Sequence, residues 1–458
     1  MIFKLLVLLS FSVVNAYVNY DSYKVYSVIP KTSEQVQILK DLRNNGYDFW
    51  TDVFSVGTDV RIMVSPIQNE EFLVYNSSVG LNAALKISNV QDLIDAQMKP
   101  SNTTRYTKTN LLFLHWDRYH NFAAIDSWIH ELSMTYPGIV KNVTLGYSLE
   151  GRPISGAIID FQKGARKNPL IGMIEGGIHA REWIAPATVT WIIKEFLTST
   201  DPDVRFLAEA FVWHIIPVLN PDGYDYTFTT NRMWRKNRNP ANFVNCQPRD
   251  DMGNGIDLNR NFNFRWMTEG ASSNPCDETY AGPFASSELE AQAITNYVMK
   301  LKSSGNFIYY FAFHSFSQMI LVPYSHASGF DKLQAKNYAD MYEIAIRGAE
   351  KLENTHGTKY TVGTSAEILY SVTGASFDWV KGVADIPIVF LFELRDVGNY
   401  GFLLPPEQII PNNEEIMACL IEMDKTARTL GYYQDSGASS VKAILSLAIG
   451  VAILVVIQ

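Results

Sequence analysis

Cysteine is scarce in this chain, and positive charge is not in excess. Only three of the 458 residues are Cys, so the fold cannot rest on a disulfide network and at most one intrachain bridge can form. The formal net charge of −9 argues against nucleic acid as the main partner, because phosphate binding needs a surplus of Lys and Arg. With 47% hydrophobic and 19% charged residues, the composition is that of a globular protein with a large core.

Both ends of the chain are apolar, yet neither reaches the roughly 20 residues that a membrane-spanning helix requires. Residues 1–16 place one Lys before an apolar run and end in small residues, which predicts a secretory signal peptide. Residues 443–458 form an apolar tail behind a linker of small residues at 433–442. This order predicts a GPI attachment signal, with a single short membrane anchor, or no anchor, as the alternatives.

Either kind of anchor would hold the protein on the outer face of the plasma membrane after passage through the secretory pathway. Three glycosylation sequons agree with an extracellular, oxidising setting, in which Cys246 and Cys276 could pair. The sequons begin at Asn76, Asn102 and Asn142.

Between the ends, the pattern predicts two units joined by an exposed linker. Residues 23–98 show short strand and helix patterns, which predict a small α+β unit. The polar, turn-rich stretch that follows carries Arg105 and Lys108, where a trypsin-like protease could cut. From about 111 to 430, apolar strands alternate with amphipathic helices, which predicts an α/β sheet buried on both faces. The predicted strands are Pro153–Asp160, Pro169–Glu175, Ala210–Pro217, Phe307–Phe313 and Ile386–Phe392, and the predicted helices are Ala185–Leu197, Ser286–Leu301 and Asp331–Leu352.

Three of the predicted strands end in residues that can bind a metal or titrate. His179 and Glu182 follow the strand at 169–175, and His314 and Glu393 follow the last two predicted strands. Ligands of such sheets bind beyond the carboxyl ends of the strands, so these side chains are expected to meet. Two imidazoles, one carboxylate and an open fourth position are typical of a catalytic zinc site. We therefore predict one Zn²⁺ per chain, held by His179, Glu182 and His314.

The surrounding motifs resemble those of secreted zinc metallocarboxypeptidases of the pancreatic carboxypeptidase A/B type, with their activation propeptide. The resemblance implies a propeptide of open-sandwich α+β fold at 17–108. It also implies a catalytic domain at 109–432 with a mixed eight-stranded sheet and flanking helices. The motifs that carry it are Asp48-Phe49-Trp50, His179-Ala180-Arg181-Glu182-Trp183, Asn231-Arg232-Met233-Trp234-Arg235, Asp257-Leu258-Asn259-Arg260, His314-Ser315-Phe316 and Phe392-Glu393-Leu394-Arg395-Asp396.

The resemblance also implies a role for each matched residue. Glu393 would take the proton of the attacking water, and Arg235 would stabilise the oxyanion. Arg260 would bind the free carboxylate of a peptide, helped by Asn259 and Tyr370. The remaining matched residues would contact the substrate or form the family's disulfide. They are Arg181, Arg232, Ser315 and Phe402 for the substrate, and Cys246 and Cys276 for the disulfide.

Substrate preference depends on the residue type at position 377. This chain has Phe377 there, whereas family members that prefer basic residues carry Asp. An aromatic ring offers no ion pair there, so a charged C-terminal side chain would be buried without a partner. The resemblance thus implies removal of apolar C-terminal residues from peptides. The alternative is a non-catalytic, membrane-tethered peptide-binding protein on the same fold. The pocket walls by the same match are Leu321, Leu369, Val372 and Leu391.

Overall fold

The computed structural model describes residues 17–51, 55–100, 114–240, 244–246, 253–326 and 335–434. The N-terminal unit is an antiparallel four-stranded sheet with the strand order β2-β3-β1-β4 and three helices, which confirms the predicted α+β architecture. Its strands are β1 (Lys24–Val28), β2 (Asp48–Phe49), β3 (Val60–Val64) and β4 (Ala84–Ile87), and its helices are α1 (Ser33–Asn44), α2 (Asn69–Val79) and α3 (Val90–Gln97).

Successive side chains of a strand point to opposite sides, so this small sheet contributes side chains to two different cores. Tyr26 and Ile62 pack against the helices of the same unit. Their neighbours Val25 and Met63 point the other way and pack against the second unit, in a cluster that includes Phe402. The N-terminal unit therefore packs on the second unit through one face of its sheet.

The second unit contains a mixed eight-stranded sheet with the order β11-β10-β12-β9-β7-β8-β6-β5. Helices cover both of its faces, as the resemblance implied. The strands are β5 (Val140–Tyr147), β6 (Pro153–Ile159), β7 (Leu170–Gly176), β8 (Phe211–Ile216), β9 (Asn306–Ser315), β10 (Met319–Leu321), β11 (Thr361–Gly363) and β12 (Ile388–Leu394). The helices are α4 (Phe122–Thr135), α5 (Ile184–Thr198), α6 (Pro202–Ala210), α7 (Pro221–Thr229), α8 (Leu289–Lys302), α9 (Tyr338–His356), α10 (Ser365–Ile368), α11 (Ser376–Gly382) and α12 (Ile409–Thr429).

The central strands are apolar at nearly every position because each face has its own core. On β9, Phe311 and Phe313 point into the core beneath α5, α9 and α12, whereas Tyr310 and Ala312 point into the core beneath α8 and α11. The parallel pairs β12–β9, β9–β7 and β7–β8 form the middle of the sheet. Their carboxyl ends consequently meet at one edge, which is the edge that the sequence predicted to carry the site.

One predicted helix begins later than its pattern suggested. The helix predicted over Asp331–Leu352 starts at Tyr338, after a turn at 336–337. The Asn337 amide donates to the backbone oxygen of Pro387 and to the Tyr432 hydroxyl, which holds the turn against other parts of the chain. Residues 331–334 lie outside the described residues.

Several features predicted from the sequence belong to the chain ends and the linker. The predicted signal peptide at 1–16, the cleavage residues Arg105 and Lys108, and the tail at 443–458 lie outside the described residues. Within the described ranges, no helix has the length and apolar character needed to cross a bilayer. The sequons at Asn76 and Asn142 lie in α2 and β5, and Asn142 is exposed.

Candidate active site

The pairing of three parallel strands brings the predicted residues together. In the β12–β9 pair Glu393 lies opposite His314, and in the β7–β9 pair Gly176 lies opposite Phe313. The chain then turns at Gly177, whose φ is +64° and where a Cβ would come within 3.1 Å of the Pro217 carbonyl oxygen. This turn carries the chain back over the edge of the sheet and on to His179 and Glu182.

His179, Glu182 and His314 converge as a metal site requires. The Nδ1 atoms of the two imidazoles are 3.1 Å apart, and each lies 2.8 to 3.1 Å from a carboxylate oxygen of Glu182. Three ligands at the usual zinc bond lengths of a tetrahedral site are about 3.3 Å from one another, so the donor set fits Zn²⁺. All three side chains are buried, and they are the only such donor cluster among the described residues.

Asp257 fixes the orientation of the first of these imidazoles. Its Oδ1 lies 3.1 Å from Nε2 of His179, which leaves Nδ1 directed at Glu182 and His314. The other oxygen of Asp257 accepts hydrogen bonds from Nε and Nη2 of Arg235. Burial alone would raise the pKa of Asp257, but the cations Arg235 and Arg260 hold the pKa well below its usual range. The carboxylate is therefore ionised and suited to accept from the imidazole.

Glu393 and Arg235 lie in the same cleft as the three ligands. Burial, followed by the negative charge of Glu182, raises the pKa of Glu393 well above its ordinary value. A carboxyl group with a raised pKa is a better proton acceptor than an ordinary one near neutral pH. The Arg235 guanidinium is 3.7 Å from Glu182 and thus reaches the rim of the metal site.

The predicted carboxylate-binding residues line the same cleft. Arg260 donates from Nε to the Gly270 carbonyl oxygen, and its Nη2 lies 3.5 Å from the Tyr370 hydroxyl. The Asn259 side chain accepts from the backbone N–H of Ser376, which holds its amide in place. A fixed guanidinium beside an amide and a phenol can bind a carboxylate with good geometry.

Phe377 and several other apolar side chains line the same cleft as Arg260, and this apolar part of the cleft is hereafter called the specificity pocket. All four wall residues expected from the resemblance line the cleft, together with Phe377 itself and Ala375. The structure adds two hydroxyl-bearing residues, Ser325 and Ser365, that sequence reasoning missed. Ser325 lies in an irregular segment and Ser365 begins α10, and an isolated Ser carries no pattern that could have indicated this position. The predicted wall residues are Leu321, Leu369, Val372 and Leu391.

The outer part of the cleft is covered by the N-terminal unit. Trp50 and Thr51 line the cleft beside Phe402, and the rings of Trp50 and Phe402 are 5.5 Å apart. Asp48 lies 3.7 Å from the Arg181 guanidinium, whose face rests on Phe402 at 4.2 Å. The sequence indicates no role for Trp50, and the packing of the N-terminal unit on the cleft gives it one.

The structure separates Arg232 from the other predicted substrate-binding residues. Its guanidinium is fully buried against the ring of Trp183 and is not among the residues that line the cleft. Its donors bind the backbone oxygens of Arg181 and Phe402 and the side chain of Gln97. A direct contact between Arg232 and substrate thus stays a prediction, while Ser315 does lie in the cleft.

The two cysteines named by the resemblance form a disulfide between Cys246 and Cys276. The third, Cys419, is a buried free thiol in α12, beside Met423. Burial raises the pKa of the Cys419 thiol far above its ordinary value, so it is unreactive at neutral pH.

Comparison with known proteins finds matching families for both units of the chain. Residues 125–419 match the zinc carboxypeptidase family, and residues 26–97 match the carboxypeptidase activation peptide. Zinc carboxypeptidase A 1 of Drosophila melanogaster is 35% identical over 449 residues, which is 94% of this chain and 98% of that protein. Zinc carboxypeptidase of Simulium vittatum is 42% identical over 320 residues, or 70% of this chain and 100% of that protein.

Solved structures agree with the fold. The structure of thrombin activatable fibrinolysis inhibitor has a TM-score of 0.77 and 31% identity, and covers 88% of this chain and 98% of that one. Carboxypeptidase A from Helicoverpa armigera has a TM-score of 0.78 and 26% identity, and covers 90% of this chain and 99% of that one. The chain therefore belongs to the zinc carboxypeptidase family and is a metallopeptidase that carries an activation peptide.

Proposed function

We propose that this protein is a secreted carboxypeptidase zymogen that removes apolar C-terminal residues from peptides and proteins. The observation that carries the proposal is that Arg260 lines the same cleft as Phe377 and the other apolar residues of the specificity pocket. A free carboxylate bound by Arg260 would place the last side chain of a peptide in that pocket. The alternative, a peptide-binding protein without activity, is disfavoured because the three proposed ligands are grouped and both Glu393 and Arg235 line the same cleft.

Different residues of the cleft would perform different steps of peptide hydrolysis. Arg260, Asn259 and Tyr370 bind and orient the chain end. Glu393 accepts the proton of the attacking water and returns it to the leaving amine. Arg235 is fixed by Asp257 and offers its charge to the oxyanion. Zinc bound to His179, Glu182 and His314 would supply a water of lowered pKa and polarise the scissile carbonyl.

The N-terminal unit supports a zymogen, because it closes the outer cleft with side chains that a long substrate would have to displace. Gln97 at the end of α3 donates to the carbonyl oxygens of Phe402 and Leu404 and accepts from Arg232. These contacts and those of Trp50 would be lost together once the unit leaves. We place the activating cut after Arg105 or Lys108, which assigns 17–108 to the propeptide and 109–432 to the catalytic domain.

Trypsin treatment is expected to raise activity on long peptides many-fold, because it frees the cleft from the N-terminal unit. The measurement is release of the last residue from a long peptide and from a dipeptide substrate, before and after cutting, with and without a chelator. The gain should be larger for the long peptide, and the chelator should abolish both activities. Full activity of the uncut protein on the long peptide would contradict the inhibitory role.

Cut protein is expected to hydrolyse a peptide ending in Leu at least about tenfold faster than the same peptide ending in Lys, measured as kcat/KM. The reason is that the specificity pocket would bury the Lys ammonium without a partner. In the Phe377→Asp variant the preference should shift toward Lys, whereas Phe377→Leu should keep the preference for Leu. Equal rates for both peptides in the wild-type protein would refute the proposed preference.

We further propose that the protein is tethered to the outer face of the plasma membrane and glycosylated. Support comes from the apolar tail at 443–458, the sequons and the secreted character of the family. Release of the protein from intact cells by a phosphatidylinositol-specific phospholipase C would indicate a GPI anchor. Retention of the protein on the cells would favour the short membrane anchor.

A further inference from the structure

A carboxyl group interrupts the apolar core beneath α8 and α11. Glu175 lies two positions after Met173 on β7, so the two side chains point to the same face of the sheet. Met173 belongs to the core cluster that also contains Phe377, and Glu175 is fully buried, with 0% exposure. A carboxyl group in such surroundings costs free energy unless it is hydrogen-bonded, so its partners indicate what it does there.

Two hydroxyl groups donate to the same oxygen of Glu175. The Tyr310 hydroxyl on β9 and the Ser376 hydroxyl at the start of α11 each lie 3.0 Å from Oε1. Both donors are fully buried, and Glu175 is not among the described residues that line the cleft. The carboxyl group therefore connects the central sheet to the first residue of α11 from behind the substrate-binding surface.

Ser376 connects this carboxyl group to residues of the cleft. Its backbone N–H donates to Oδ1 of Asn259 at 2.9 Å, and Phe377 is the next residue of α11. Because Oδ1 accepts this bond, the NH2 group is the end of the Asn259 amide that can donate to a carboxylate. Asn259 and Phe377 both line the cleft. The position of Ser376 thus affects a group that binds the chain end and a residue of the specificity pocket.

We propose that Glu175 is a positioning residue for substrate binding. It holds the start of α11, and with it Asn259 and Phe377, in the arrangement that binds the C-terminus of a peptide. The role needs Oε1 as a hydrogen-bond acceptor and does not need a charge. Loss of the acceptor weakens the binding of substrate and transition state alike, which raises KM and leaves kcat nearly unchanged. This inference rests on the proposed function and adds a residue to the same site.

The test uses trypsin-cut protein and a peptide ending in Leu, with kcat and KM measured separately. Glu175→Met keeps the length of the side chain and removes the acceptor, so KM should rise about tenfold while kcat stays within about twofold of wild type. Glu175→Gln also removes the ionisable group but keeps Oε1 as an acceptor, so its KM should stay within about twofold. The zinc content and a thermal unfolding curve of each variant show whether metal and fold are retained.

The two hydroxyl donors provide a matched pair of variants, because each loses one hydrogen bond to the same oxygen. Ser376→Ala should raise KM about fivefold or more, since it releases α11 from Glu175. Tyr310→Phe should leave KM within about twofold even if it lowers the unfolding temperature, since the hydrogen bond between Ser376 and Glu175 remains. Combining Glu175→Met with Ser376→Ala should raise KM little beyond Glu175→Met alone, because both changes break the same connection.

Three outcomes would overturn the inference: an equal rise of KM in Glu175→Gln and Glu175→Met, an unchanged KM in Ser376→Ala, or an equal rise in Tyr310→Phe and Ser376→Ala. If Glu175→Met does not fold, the comparison of Ser376→Ala with Tyr310→Phe decides. Preference of wild-type protein for Lys over Leu would instead overturn the proposed function, so the two failures are distinguishable.

Discussion

Replacement of Glu393 by Gln is expected to lower kcat by about 10³- to 10⁴-fold, which is the upper range for loss of a general base. Gln has the shape of Glu but cannot accept a proton. Glu393 is a neighbour of the three metal ligands and is not one of them, so zinc content should stay at the wild-type level. KM should change little, because Arg260 and the specificity pocket are untouched.

The control for this variant is Glu350→Gln on the exposed face of α9, where the carboxylate is paired only weakly, at 3.5 Å from Arg347. It should keep wild-type kcat. If a zinc-loaded Glu393→Gln protein retained more than about a tenth of the wild-type kcat, Glu393 would not be the proton acceptor.

Replacement of His314 by Gln is expected to abolish activity through loss of the metal. The three ligands are buried, and removal of one leaves a site with two donors that holds zinc far less tightly. Since the metal supplies several kcal/mol of transition-state stabilisation, kcat/KM should fall by at least about 10³-fold. Added zinc should restore only part of it.

The matched control is His356→Gln at the end of α9. This imidazole is partly exposed and lies 2.8 Å from Glu414, remote in sequence from every ligand. Zinc content and activity of this variant should equal those of the wild-type protein. If both His variants behave alike, the ligand assignment is wrong.

The site was predictable because its residues follow strands that the sequence marks clearly. The strands β7, β9 and β12 are continuous apolar runs, since both faces of the sheet are covered. His179, His314 and Glu393 interrupt or end these runs, so each stands out against its surroundings. Strand pairing then converts three separate positions in the sequence into one cluster.

Other elements could not be predicted, because tertiary contacts bury polar residues that a sequence pattern assigns to the surface. Helix α12 buries Asn413 and Glu415, which read as solvent-facing residues in the sequence. Thr188 donates to the Asn413 side-chain oxygen, and Arg395 binds Glu415 at 2.7 Å, so this oxygen and the Glu415 carboxylate are paired inside the protein. Strand β5 was missed for the opposite reason: it lies at the edge of the sheet and is largely exposed.

The contacts that close the cleft could not be predicted from the sequence either. Gln97 is polar and lies in a short amphipathic helix, so its sequence context favours exposure. In the structure it is buried, because three hydrogen bonds across the interface satisfy its amide. Only the docking of the two units reveals this residue, and the same holds for Trp50.

The most direct test of the account is the zinc content of purified, trypsin-cut protein, measured by mass spectrometry of the metal. The account predicts about one zinc per chain in the wild-type and His356→Gln proteins, and less than about a tenth of that in His314→Gln. Fully active wild-type protein that contains no zinc would contradict it.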